Sequence, residues 1–146
     1  MNTADLISEI KAEEGELLQV YLCPAGYKTV GVGHKLVPAD PEYDWPVGAP
    51  ITQGRSDELL ERDLSIALAD AYWTFSNLNE LPDEAQLVLA NMAFNLGRVR
   101  LSKFAKMKRA VESFNFSAAA DEMQDSLWAR QLPARSGRLI NRMRNV

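Results

Sequence analysis

A chain of 146 residues, 47% hydrophobic and 25% charged, has the make-up of one ordinary globular domain, or of two small lobes sharing a core. One cysteine excludes an internal disulfide framework, and no apolar run reaches the roughly 18 residues that cross a bilayer, so neither a stapled scaffold nor a membrane span is expected. The net charge of −4 conceals an asymmetry: residues 1–97 carry five Lys or Arg against sixteen Asp or Glu (net −11), and residues 98–146 carry eleven against four (net +7). Such an imbalance reads either as solvated helix faces, or as a basic part attracted to the acidic one or to an anionic polymer.

The first residues, MNTADLISEIKAEEG, lack a positive segment followed by an apolar core, so they do not read as a signal peptide. They read as a helix over 3–14, capped by Thr3 or Asp5, with Leu6, Ile7, Ile10 and Leu17 on its apolar stripe. Gly15 ends it. Glu14 then sits in the last turn, at the end of the helix dipole that disfavours a carboxylate.

Short extended pieces follow around 19–22, 28–32 and 35–37, with Pro24, Ala25 and Gly26 as a tight turn between the first two. Gly31 and Gly33 inside one alternating stretch imply close backbone approach, by a bulge or by a ligand. Residues 38–50 hold four of the seven prolines and form a loop, in which Tyr43 and Trp45 read as a packed cover ahead of a substrate lining.

The longest helix is expected over 53–72, capped by Thr52, with Leu59, Leu60, Leu64, Ile66, Ala67 and Leu68 on its apolar side. Pro82 opens a strongly apolar helix that Gly97 stops, with Leu87, Leu89, Ala90, Met92 and Ala93 central to the larger core. Shorter helices are expected near 101–112, 116–127 and 134–143, with Pro133 as the residue that opens the last. The fold class is α+β and two-lobed: a small β-containing lobe over 14–52, a linking helix over 53–72, and a helical lobe from 1–13 and 73–146. A cleft between the lobes is the expected site.

The chemistry-bearing residues cluster in EEGELLQVYLCPAGYKTVGVGH, residues 13–34. Glu13 and Glu14 are adjacent, so only one can face a cleft. Cys23 is more often a small buried hydrophobe than a nucleophile, and a cysteine protease needs an activating imidazole. His34 is the one histidine, and nothing flanking either residue supports that pairing. A single histidine and a single cysteine also make a protein-only zinc site weak, so no metal and no cofactor are expected. GYKTVGVG matches neither a P-loop nor a dinucleotide fingerprint. The basic stretch ARQLPARSGRLINRMRNV belongs to no recognisable nucleic-acid module.

Glu14, eight residues, Cys23, five residues, Thr29, and then VGVGH resemble the signature of the phage T4-type lysozyme family of endolysins, in which aspartate is usual at the middle position. Gly15 follows the glutamate as that pattern expects, and the spacing selects Glu14 over Glu13. PITQGRSDELLERDL, NMAFNLG and SLWARQLPARSGRLINR resemble further segments of the family in the same order.

The resemblance implies a lysozyme-like fold and a muramidase acting on the β-1,4 bond between N-acetylmuramic acid and N-acetylglucosamine of peptidoglycan. It makes Glu14 the general acid, with Cys23 and Thr29 orienting water and stabilising the transition state. It also implies a substrate surface of Gly33, Phe94, Asn95, Trp128, Gln131, Arg135 and Arg138, and a structural pair of His34 with Asp63.

The implied protein is a monomeric endolysin made in the host cytoplasm and released to the periplasm by a separate pore-forming holin. It has no nucleic-acid partner and no stable membrane insertion. A non-catalytic glycan or nucleic-acid binder, and a lytic transglycosylase, remain as alternatives on the same scaffold.

Overall fold

The computed structural model describes residues 1–146. Helix α1 spans Thr3–Glu14. Its cap is Asn2, whose Oδ1 accepts from Ala4 N at 2.9 Å and Asp5 N at 3.3 Å. Neither Thr3 nor Asp5 serves; an asparagine one residue earlier reaches the same open N–H groups. The helix stops at Gly15, which takes φ +71 and closes the last turn onto Lys11 O at 2.9 Å. Leu17 does not extend the helical stripe. It opens strand β1 (Leu17–Leu22) and is 49% exposed.

Strands β2 (Lys28–Gly31) and β3 (His34–Lys35) complete an antiparallel sheet in the order β1-β2-β3. Tyr21 pairs with Thr29 and Val30 with His34, so the register alternates side chains between two faces. Val20, Val30 and Leu36 pack with Leu59 into a small core on one face. Tyr21 and Thr29 therefore share the other.

The proline-rich loop contains a 3₁₀ turn at Pro41–Asp44. Tyr43 and Trp45 are each 40% exposed, so they are not the packed cover that their apolar character suggested. The buried member is Glu42. Its carboxylate takes Arg55 Nε at 2.6 Å and ties the loop to α2 (Gln53–Thr74). Thr52 caps α2 through Arg55 N at 3.0 Å. Leu59, Leu60, Leu64 and Ala67 are buried along it, whereas Ile66 lies off the stripe and is 60% exposed.

The chain divides into two compact units, Ile7–Ser65 and Met1–Leu6 with Ile66–Val146, and both α1 and α2 run from one into the other. The smaller unit carries the sheet. The larger is helical: α3 (Asp83–Ser102), α4 (Ala105–Glu112), α5 (Phe116–Gln124), α6 (Leu127–Gln131) and α7 (Pro133–Arg144). Its core joins Ala71, Phe75, Leu89, Met92, Leu101, Met107, Met123, Trp128, Leu139 and Met143.

Gly97 does not stop α3. It breaks it, with φ 76 and ψ 168, and helical structure resumes to Ser102. The segment expected as one helix over 116–127 is two, because Ser126 caps a new start by accepting from Ala129 N at 3.1 Å. No helix is long and apolar enough to cross a membrane.

Candidate active site

The smaller unit brings four of the expected residues onto one framework. Glu14 ends α1, and Gly33 sits in the two-residue connection between β2 and β3. The two meet: a Cβ on Gly33 would lie 2.7 Å from Glu14 Oε2. Gly33 also takes φ +61, so this position requires glycine on two counts. Gly31 requires it in the same way, because a Cβ there would lie 2.7 Å from Ser56 Oγ on α2.

Across the sheet, Thr29 is buried, and its hydroxyl donates to Tyr27 O at 2.9 Å. Cys23 follows β1 directly and is half-buried and unbridged. Its N–H donates to Tyr27 O at 2.9 Å, and its carbonyl accepts from Gly26 N at 2.8 Å, which sets the 23–27 turn.

The same turn also bears on the thiol. The Tyr27 N–H lowers the thiol pKa most; burial opposes it, and the Ala25 N–H, the Thr29 hydroxyl and the Gly26 N–H add to the lowering. Thr29 has one hydroxyl proton, so the carbonyl of Tyr27 and a thiolate compete for it.

Tyr21, opposite Thr29, was not singled out in the sequence. Its phenol pKa is raised, first by burial and further by the charges of Glu14 and Cys23, against a lowering by the Gly33 N–H. The phenol is therefore held as O–H beside the two groups expected to do chemistry. The signal was present as alternation, since Tyr21 stands two residues before Cys23 on one strand face.

His34 lies on the opposite side of this framework. Its Nδ1 is 2.7 Å from Asp63 Oδ2, and its Nε2 is 2.8 Å from Asp40 Oδ2. Burial lowers the imidazole pKa, but hydrogen bonds to Asp63 and Asp40 and their charges outweigh it, leaving the value raised. Asp40 is the unforeseen partner. Its carboxyl is penalised by burial, yet the Val37 N–H and His34 hold its pKa below the usual range. The same oxygen accepts from Val37 N at 2.9 Å.

The remaining expected residues lie in the larger unit. Trp128 is buried at 2% exposure, edge-on to Phe104, and its indole donates to Asn95 Oδ1 at 2.8 Å. Phe94 packs on the same core. Arg135 is buried and donates through Nη2 to Asn91 Oδ1 at 3.0 Å. Gln131 and Arg138 are exposed on α6 and α7. An open pocket of about 520 Å³ in this unit has Leu96, Phe104, Met107 and Trp128 among its apolar lining and both cations and carboxylates around them. No cluster of three or more His, Cys, Asp or Glu is placed to hold a metal ion.

A match to the phage lysozyme family spans residues 11–145, from the last turns of α1 to the end of α7. The chain belongs to the phage lysozyme family. A Dictyostelium discoideum protein described as "Probable T4-type lysozyme 2" is 30% identical over 90% of this chain and 89% of its own length. The endolysin of Salmonella phage P22 is 36% identical over 79% of this chain and 75% of its own. The pre-baseplate central spike protein Gp5 of Enterobacteria phage T4 is 29% identical over 89% of this chain, which spans 26% of that longer protein. Its function is accordingly that of a lysozyme-family hydrolase.

Proposed function

We propose that this lysozyme hydrolyses the β-1,4 bond between N-acetylmuramic acid and N-acetylglucosamine in peptidoglycan and acts as a monomeric endolysin. Glu14 is the general acid that protonates the leaving oxygen. A water on the opposite face of the sugar is held by Thr29 and Cys23, as an inverting displacement requires. Cys23 acts as a thiolate in the place of the usual carboxylate: it accepts a hydrogen bond from the water and opposes the positive charge that develops on the sugar.

The observation that carries this reading is the seating of Glu14 on Gly33 in the unit where Cys23 and Thr29 adjoin. Phe94, Asn95, Gln131, Arg135 and Arg138 are read as the substrate surface of the helical unit, with Trp128 holding Asn95 in place. The mixed-charge pocket beside Trp128 suits a stem peptide, which carries both carboxylates and an amine. The enzyme is made in the host cytoplasm and reaches the periplasm through a separate holin.

Clearing of outer-membrane-permeabilised Gram-negative cells tests the reading. The parent should clear a suspension and Glu14→Gln should not. Equal clearing by both removes Glu14 from the mechanism, and wall binding without clearing makes the chain a non-catalytic binder.

A further inference from the structure

The sheet face that carries Thr29 also holds a cation with no part in the chemistry proposed for Glu14 and Cys23. Lys35 pairs with Thr29 across β2 and β3, so the two side chains rise side by side, with Cβ atoms about 5 Å apart. Alternation puts Tyr27 on the same face, two residues before Thr29, where a long side chain on β3 can reach it diagonally. It does: the Lys35 ammonium lies 3.7 Å from the centre of the Tyr27 ring. Tyr27 in turn stands opposite Cys23, whose N–H donates to its carbonyl at 2.9 Å. Taking the muramidase reading as its basis, we infer that Lys35 is a specificity-determining residue: its ammonium, held over the Tyr27 ring, takes a carboxylate from the lactyl arm of N-acetylmuramic acid or from the stem peptide on it.

The unit of Ile7–Ser65 carries five Lys or Arg against eleven Asp or Glu, a balance that repels an anionic strand. Arg55 is engaged by Glu42 and Glu58, and Lys28 donates to the carbonyl of Tyr43. Lys35 is held by a ring instead of a carboxylate, so its charge is not cancelled. The ring covers one side of the ammonium and leaves N–H groups for an incoming anion. The stacking also steadies a side chain that would otherwise rotate, which lowers the entropic cost of binding. Lys35 is exposed and Tyr27 is 52% exposed, so a polymer can reach both. A cation here separates a strand bearing carboxylates from an uncharged β-1,4 glycan.

The test measures kcat and KM of the parent, Lys35→Met, Lys35→Arg and Tyr27→Leu on soluble, uncross-linked peptidoglycan strands. The strands are used intact, with every carboxylate converted to its amide, or stripped of stem peptides so that only lactyl carboxylates remain. On intact strands Lys35→Met should raise KM roughly 3- to 10-fold with kcat within about twofold, between the effect of an exposed ion pair and that of a hydrogen bond to a charged group. Tyr27→Leu, which releases the ammonium, should raise KM less, and Lys35→Arg should stay near the parent. On amidated strands the parent and Lys35→Met should share one KM. A rise in KM that persists on stripped strands assigns the lactyl carboxylate, and one confined to intact strands assigns the stem peptide.

Parental KM in Lys35→Met on intact strands overturns the assignment. So does an equal rise on amidated strands, which would make the contact one with the sugar, and so does a loss confined to kcat, which would put Lys35 in the chemistry. A parent that cleaves none of the strands overturns the muramidase reading itself, and the same variants then report through the Kd of strand binding.

Discussion

At the scale of single residues, the departure that matters is a thiol where the family usually carries a carboxylate. The N–H groups of the 23–27 turn hold the thiol pKa below its ordinary value, Tyr27 first, against burial. If the thiolate is the working form, Cys23→Ala should lose most of the lytic rate, of the order of 100-fold, the upper end for a lost hydrogen bond to a charged group. Cys23→Asp should keep activity.

The pH profile is more discriminating. Parental activity should rise with pH through the lowered thiol pKa, whereas Cys23→Asp should move that limb down toward the carboxylate range near about 4. Identical acid limbs in the two enzymes would argue that the thiol never ionises in the cycle.

His34 makes a prediction about stability instead. Its folded pKa is raised, so its contribution is complete below the unfolded value near about 6.5 and is lost as pH rises through the folded value. The folded pKa of Asp40 is lowered, so its contribution is complete above about 3.9 and is lost as pH falls through the folded value. The triad is thus fully stabilising between about pH 4 and 6.5. The one histidine gives a single titrating imidazole resonance: both Asp63→Asn and Asp40→Asn should lower its pKa, and Asp40→Asn should cost about 1–3 kcal/mol at pH 6. A ring titration that neither substitution moves would dissolve the triad.

At the scale of elements, the glycines and the sheet explain how the site is built. Gly15, Gly31 and Gly33 all take positive φ, but they differ in what a side chain would meet. Gly15→Ala meets nothing within 4 Å and should cost only the left-handed backbone, about 1–2 kcal/mol. Gly31→Ala should cost more, because it also drives into Ser56 on α2. Gly33→Ala should lower activity out of proportion to its change in Tm, because its added methyl displaces Glu14. Paired thermal melts and lysis rates on the three variants check this ordering, and a Gly33→Ala enzyme of parental activity would break it.

Much at this scale was legible in the sequence. The strands, the helix at 53 and its Thr52 cap follow from local chemistry that acts within a few residues. What was not legible depended on partners distant in sequence or on small caps. Ile66 has the right residue type but points off the stripe. Ser126 splits a helix that composition alone joins. Asp40 becomes a histidine partner only when the loop closes on itself through Val37.

At the scale of the molecule, the charge asymmetry of the sequence softens once the units are known. The unit of Met1–Leu6 and Ile66–Val146 holds eleven Lys or Arg against nine Asp or Glu (net +2), and that of Ile7–Ser65 holds five against eleven (net −6). Part of the basic C-terminal charge is paired with acids of the same unit: Arg98 with Asp70 at 2.9 Å, Arg144 with Asp121 at 2.7 Å, and Arg142 with Glu84. The basic tail is in part scaffold, a conclusion that counting charges along the chain could not reach.

The helical core is likewise bound to its polar groups. Asn95→Ala removes the acceptor of a buried indole N–H and should cost about 1–3 kcal/mol in chemical denaturation.

Product analysis tests together the bond broken and the group that donates the proton. Purified peptidoglycan digested by the parent should give, by mass spectrometry, fragments ending in a free reducing N-acetylmuramic acid, and Glu14→Gln should give none. Fragments with 1,6-anhydro ends, or reducing N-acetylglucosamine, or products that persist in Glu14→Gln, would contradict a muramidase with Glu14 as its acid.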